Sequence, residues 1–330
     1  MLDDIRPVTW HDGAVRIIDQ TALPGQLTYL DLATVDELIA AIQRLAVRGA
    51  PALGVAGAYG VALALLRGER DRIPALRAAR PTAVNLATGV DRAAAHIDEG
   101  FEAVLTEAHA VLEQDLAANR TLSALGADWL LTQTDRNPLR LLTHCNAGAL
   151  ATAGWGTALG VVRELHARGL VEVVYADETR PLLQGSRLTA WELARLGIPH
   201  RVQPDSAAAS TIVSKHVDAA IVGADRIAAN GDTANKIGTL GVALACAHAE
   251  TPFLVAAPTS TIDLATASGA AIHVEFRNEA EVLGDSTPTE SRAHNPAFDV
   301  TRAALVSALT TERGVVEINR GELPGTLWKS

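Results

Sequence analysis

Ala219-Ala220-Ile221-Val222-Gly223-Ala224-Asp225 is a short apolar run that ends in a glycine and then a carboxylate. With no polar face, residues 219–222 fit a strand buried on both sides. Similar short runs occupy 139–143, 171–176, 201–203 and 253–256, and helical spacing fills 151–167, 186–196, 207–215 and 235–248 between them. Strand and helix alternate, which predicts a parallel sheet covered on both faces, a doubly wound α/β domain. Such sheets bind ligands outside the carboxyl ends of their strands. The residues expected there are His144-Cys145-Asn146, Asp177-Glu178-Thr179-Arg180, Pro204-Asp205, Gly223-Ala224-Asp225 and Pro258-Thr259-Ser260. A thiol and several carboxylates thus share one edge.

The chain before this region reads differently. Strands at 15–18 and 27–30 flank the turn Leu23-Pro24-Gly25, and Thr34-Val35-Asp36-Glu37 has the form of a helix capping box. Arg48-Gly49-Ala50-Pro51 opens a second helix, with proline suited to its first turn. Residues 49–66 carry no charge, but glycines and alanines dominate, so the segment reads as a helix packed inside protein rather than a membrane span. A polar helix is expected over 90–116, with helical pattern again at 125–131, until Thr132-Gln133-Thr134-Asp135-Arg136-Asn137-Pro138 breaks it. The expected division is a mixed α+β domain over 1–136 and the parallel-sheet domain over 137–330.

Composition narrows the function. The 330 residues have 48% hydrophobic and 20% charged side chains and a net charge of -10. That charge disfavours a general electrostatic hold on nucleic acid or anionic membrane. Two cysteines, Cys145 and Cys246, cannot build a disulfide scaffold and suit a reducing, cytoplasmic compartment. Met1-Leu2-Asp3-Asp4 places acid where a signal peptide carries base. No nucleotide-binding P-loop, zinc-protease or nucleophile-elbow motif occurs, and Gly54, Gly57 and Gly60 fall inside a helical run rather than at a strand-to-helix turn.

A few residues remain as candidates. Cys145 is expected between a strand and a helix start, where a thiol can act as acid, base or nucleophile; the alternative is a small buried hydrophobe. Asp225 suits a general acid, or a turn aspartate. Asn235-Lys236 and Arg48-Gly49-Ala50 each pair a cation with an expected helix start, an arrangement that suits phosphate; each alone is equally a solvated charge beside a turn. His144, Cys145, Cys246 and His248 are zinc-type ligands, but adjacent ligands and a mid-helix pair strain a tetrahedral site.

In this setting several motifs resemble the methylthioribose-1-phosphate isomerase family. They are Arg48-Gly49-Ala50-Pro51-Ala52-Leu53-Gly54, Arg80-Pro81-Thr82-Ala83-Val84-Asn85-Leu86, and the run from Thr143-His144-Cys145-Asn146 to Thr152. Asp177-Glu178-Thr179-Arg180-Pro181 with Gln184-Gly185, Gly223-Ala224-Asp225-Arg226, Asn235-Lys236-Ile237-Gly238-Thr239 and Asn295-Pro296-Ala297-Phe298-Asp299-Val300-Thr301 complete the set. The family is similar in fold to regulatory subunits of translation initiation factor 2B. The resemblance implies a Rossmann-like second domain and a cofactor-free aldose-to-ketose isomerase of methionine salvage. It would convert 5-methylthioribose 1-phosphate to 5-methylthioribulose 1-phosphate as a homodimer. Carried over, Cys145 and Asp225 are the catalytic pair, with Asp225 a protonated acid in an apolar setting. Arg48, Gly49, Ala50, Arg80, Gln184, Asn235 and Lys236 would hold the sugar phosphate. The stretch 273–282 departs from the family's Glu-Glu-Arg-Asp run, and 283–294 matches loosely, which leaves the group at C5 open. The alternatives are 5-deoxyribose 1-phosphate or ribose 1,5-bisphosphate as substrate, or a non-catalytic sensing subunit.

Overall fold

The computed structural model describes residues 5–81, 83–284 and 287–328; Met1-Leu2-Asp3-Asp4, Thr82 and part of the 283–294 stretch lie outside the described residues. The chain divides into two compact units, Met1–Arg120 with Ala147–Gly160, and Thr121–Asn146 with Val161–Ser330.

The first unit opens with β1 (Val8–His11), β2 (Ala14–Ile18) and β3 (Tyr29–Leu32), an antiparallel meander in that order. The capping box expected at Thr34 begins α1 (Val35–Gln43). Thr34 Oγ1 accepts from Glu37 N at 3.2 Å, and the Glu37 carboxylate accepts from Thr34 N at 3.1 Å. Such a cap stabilises a helix by about 1 kcal/mol. Next come α2 (Ala50–Arg67), α3 (Ile73–Arg77) and α4 (Val84–Ala94), then α5 (Phe101–Gln133). Helix α2, uncharged before Arg67, is buried from Ala52 to Ala64, as its composition predicted. It crosses α4 so closely that a Cβ on Gly89 would lie 2.0 Å from the Gly54 carbonyl oxygen. Only glycine permits that approach. The single polar helix expected over 90–116 is instead two, because α4 ends at Ala94 and Gly100 (φ 97°) turns the chain into α5.

The division between units falls within α5, earlier than the break expected at residue 136. Packing explains this. Gly126 faces Val161, Leu254 and Thr310, and Thr310 Oγ1 donates to the Leu122 carbonyl, so the end of α5 belongs with the second unit.

That unit contains β4 (Leu139–Thr143), most of α6 (Ala158–Ala167), β5 (Val171–Asp177), α7 (Ala190–Arg195), β6 (His200–Gln203), α8 (Ala208–Val213) and β7 (Ala219–Val222). They are followed by β8 (Arg226–Ala228), β9 (Thr233–Lys236), α9 (Thr239–His248), β10 (Phe253–Ala256) and β11 (Ile262–Asp263). The last strands are β12 (Phe298–Thr301), β13 (Ala308–Thr311) and β14 (Gly314–Val316). The main sheet runs β6-β5-β4-β7-β10-β13-β14, parallel except for β14. Strand order therefore steps one way from β4 to β6 and the other way from β7 to β13. The reversal lies between β4 and β7, where Thr143 pairs with Ile221. A second sheet, β11-β8-β9-β12, was not anticipated. Two expected helices also start later than their composition suggested. Residues 151–157 are not part of α6, and Asn235 and Lys236 lie on β9 rather than at the head of α9.

Candidate active site

The reversal of strand order fixes where to look, because the connections after β4 and β7 leave in opposite directions and open a crevice between them. Cys145 is two residues beyond the end of β4, and Asp225 three beyond the end of β7. Backbone bonds hold both. Cys145 adopts φ 67°, a left-handed conformation that costs a non-glycine residue roughly 1–2 kcal/mol. Two buried threonines keep it there. The Cys145 amide donates to Thr179 Oγ1 at 2.9 Å, and Thr189 Oγ1 donates to the Cys145 carbonyl at 2.6 Å. Asn146 anchors the next position, donating to Glu192 at 2.8 Å. No helix follows directly, so the helix-start argument for Cys145 does not apply: the chain makes a short turn at Ala149–Ala151 and α6 begins at Ala158.

Asp225 donates its amide to the Ala234 carbonyl at 2.9 Å, which places it across the β8–β9 hairpin from Asn235. Asn235 and Lys236 are buried; Asn235 Nδ2 donates to Thr239 Oγ1 at 3.0 Å. Lys236 Nζ donates to the Ala297 carbonyl at 2.8 Å and lies 4.7 Å from the centre of the Phe298 ring. The first-turn amides of α9 are not an open phosphate site. Gly238 and Leu240 donate theirs to Asp299, whose carboxyl burial raises above its ordinary value, against the lowering effect of those two bonds.

His144, beside Cys145, joins these elements. It is 1% exposed, as is Asp177. Its Nδ1 lies 2.9 Å from Asp177 Oδ2, and its Nε2 donates to the Ile237 carbonyl at 2.8 Å, one residue past Lys236. Cys145, Asp225, Asn235 and Lys236 are thereby linked by an unbroken series of neighbours within one unit. Gln184 borders the same loops, since the next residue, Gly185, lies against the Asp177 carbonyl. Gln184 is 7% exposed, and its Oε1 has no hydrogen-bond partner among the described residues. A sealed acceptor without a donor is costly and suits a ligand hydroxyl.

His144, Asp177 and Asp205 are close enough to suggest a metal site. Their donor atoms are engaged otherwise: both imidazole nitrogens as above, and the Asp205 oxygens by the Thr179 and Arg180 amides at 2.7 and 2.6 Å. The zinc set considered from sequence fares no better. Cys246 packs within the hydrophobic core, where burial pushes its thiol up to about 12.

Arg48, Gly49, Ala50 and Arg80 belong to the first unit. Gly49 (φ 95°) caps α2 without a side-chain bond and packs against Ala151, and Ala50 is the first helical residue. Arg48 is half-buried beside that cap, and Arg80 lies in the bend between α3 and α4.

Residues 46–318 match the initiation factor 2 subunit family. The chain belongs to this family. A relative from Anaeromyxobacter dehalogenans, named methylthioribose-1-phosphate isomerase, is 53% identical over 95% of this chain and 94% of its own length. A probable bifunctional isomerase/dehydratase from Nocardia farcinica is 50% identical over 98% of this chain, which spans 61% of that longer protein. Among family members of known structure, 5-methylthioribose 1-phosphate isomerase from Pyrococcus horikoshii superposes with a TM-score of 0.90 at 37% identity, covering 98% of this chain and 96% of that one. A protein from A. fulgidus described as the delta subunit of initiation factor eIF-2B gives 0.88 at 39% identity, covering 99% and 100%.

One expectation about the site needs correction: Asp225 is exposed rather than enclosed by apolar residues, and Cys145 is half-buried. In the divergent stretch 273–282 the Glu275 carbonyl accepts from the Ala297 amide and Arg277 donates its amide to the Asn295 carbonyl, so this stretch borders the carbonyl that receives Lys236. Sequence reading placed His144 and Asp177 at the sheet edge but missed the bond between them. Thr179 was placed at the same sheet edge without a role, and Thr189 gave no signal.

Proposed function

We propose that this chain isomerises 5-methylthioribose 1-phosphate to 5-methylthioribulose 1-phosphate, without a cofactor. The observation that carries the reading is the placement of Cys145 and Asp225 beyond the two strands that flank the reversal of strand order. Names borne by relatives half identical along almost the whole chain support it. The order of the parallel strands supports a Rossmann-like second unit, and the same reading takes the protein to be a cytoplasmic homodimer.

The chemistry calls for these groups. Phosphate on the anomeric carbon prevents the ring from opening to a free aldehyde, so the ring oxygen must leave C1 with a proton supplied to it. Asp225 donates that proton as the C1–O bond breaks, and the Cys145 thiolate takes the proton from C2 to give an enol across C1 and C2. The thiol then returns a proton to C1 while the Asp225 carboxylate accepts the proton of the C2 hydroxyl. A ketone forms at C2 and both residues regain their starting states. Asp225 acts as an acid once the bound sugar phosphate has covered it, since loss of solvent favours the protonated form. Gln184, Asn235 and Lys236 would meet the sugar and its phosphate on this side, with Arg48, Gly49, Ala50 and Arg80 as the anion-binding set of the first unit.

The structure named as an initiation factor subunit raises a sensing role as the second reading. The joint presence of Cys145 and Asp225 favours catalysis. An assay offering 5-methylthioribose 1-phosphate, 5-deoxyribose 1-phosphate and ribose 1,5-bisphosphate decides: the first should turn over with the highest kcat/KM. Turnover of none would support the sensing role.

A further inference from the structure

We propose that His144 and Asp177 are positioning residues, a buried pair that holds Cys145 in register with the strand bearing Asn235 and Lys236. The inference rests on the catalytic reading of Cys145 given above. Three elements meet at the imidazole: the exit of β4 through His144 itself, the exit of β5 through Asp177, and the β9–α9 turn through the Ile237 carbonyl. The turn also closes over the ring. A Cβ on Gly238 would come within 2.6 Å of Cε1 and 2.8 Å of Nε2.

The hydrogen-bond pattern fixes what the pair must contain. A carbonyl only accepts, so Nε2 carries a hydrogen. Gln203 Nε2 donates to Asp177 Oδ1 at 2.9 Å, and the Thr211 hydroxyl shares its one hydrogen between Gln203 Oε1 at 2.9 Å and the Ala207 carbonyl at 3.0 Å. Asp177 Oδ2 therefore faces His144 Nδ1 with one proton between them, as imidazolium and carboxylate or as imidazole and carboxylic acid. Burial pushes the His144 imidazole down, but its bond to Asp177 and the nearby negative charge outweigh this and leave it raised. Burial also raises Asp177, against the opposing pull of His144. The other ionisable groups bearing on the ring are the carboxylates Asp205 and Asp299. In either protonation state the bond persists, and its work is geometric. His144 cannot turn without leaving two buried polar groups unpaired, and through the peptide bond it fixes the position from which Cys145 projects.

Two substitutions separate this role from simple support of the fold. Asp177→Asn can keep every bond, its amide nitrogen donating to a neutral imidazole and its oxygen still accepting from Gln203. Asp177→Ala removes the partner of Nδ1. Displacing a reacting group by about 1 Å costs on the order of 100-fold in rate. Asp177→Ala should therefore lower kcat by about that factor with KM within about threefold, while Asp177→Asn stays within about fivefold of wild type. Thermal melts would establish that both are folded. Should Asp177→Ala fail to fold, His144→Gln, whose amide reaches only one of the two partners, replaces it with the same expected loss. Wild-type kcat in folded Asp177→Ala overturns the proposal, as does an equal loss in Asp177→Asn. Cys145→Ser, measured alongside, tells the two claims apart. If it retains turnover, the catalytic reading fails; if it is inactive while Asp177→Ala is not, only the positioning claim fails.

Discussion

Thr189→Val replaces a buried hydroxyl with a methyl of nearly the same shape. In the wild type that hydroxyl donates to the Cys145 carbonyl at 2.6 Å and receives a longer bond of 3.3 Å from Asn146 Nδ2. Asn146 keeps its bond to Glu192, so the Cys145 carbonyl suffers the main loss. Leaving a buried acceptor unpaired costs about 1–3 kcal/mol. The left-handed backbone of Cys145 is itself unfavourable by a similar amount, so removing one of its two tethers releases the residue toward an ordinary conformation. With tenfold in rate for each 1.4 kcal/mol, a shift of this size lowers kcat by about 10- to 100-fold. KM should change little, since the bonds of the Thr189 hydroxyl go to Cys145 and Asn146 rather than to the proposed ligand-binding side chains. Thr189→Ser, which keeps the hydroxyl, should remain within about threefold of wild type. Both variants are read by steady-state kinetics on 5-methylthioribose 1-phosphate, with a thermal melt to count folded enzyme. Wild-type kcat in Thr189→Val would refute the idea that backbone strain at Cys145 is maintained for catalysis.

Lys236→Ala removes a buried ammonium and should weaken sugar-phosphate binding about 10- to 100-fold by calorimetric titration, the range expected for a charge-assisted bond. An unchanged dissociation constant would remove Lys236 from the site. Asp232 tests stability instead. Its carboxylate accepts from the Ala303 and Gly269 amides and from Asn230, all at 2.8–2.9 Å. Burial raises its pKa, yet these bonds outweigh burial and leave it lowered from 3.8. Its contribution is therefore present above about pH 4 and lost as pH falls through the lower folded value. Asp232→Asn should cost about 1–2 kcal/mol in urea unfolding at pH 7, and the gap to wild type should narrow under acid.

Strands β4, β7 and β10 were legible to the residue because each is an apolar run stopped by a turn or a polar residue. The small sheet was not. Arg226-Ile227-Ala228 and Thr233-Ala234-Asn235-Lys236 have neither alternation nor length, and their pairing is decided by the hairpin and by β12. Alanine and glycine blurred the start of α6, since their small side chains are apolar without setting a period. The sheet edge was enough to nominate Cys145 and Asp225. The His144–Asp177 bond was hidden because its partners lie 33 residues apart, at the ends of β4 and β5, whose adjacency only the fold reveals. The exposure of Asp225 could not be read either, since apolar neighbours in sequence say nothing about what covers a side chain.

Running the isomerisation in deuterated water and locating the label by NMR bears most directly on the proposed exchange of protons between Cys145 and the substrate. The account predicts deuterium at C1 of 5-methylthioribulose 1-phosphate, delivered by a thiol that has exchanged with solvent. Product wholly free of label at C1 would favour direct passage of hydrogen from C2 to C1, and would contradict a Cys145 thiol that exchanges with solvent during turnover.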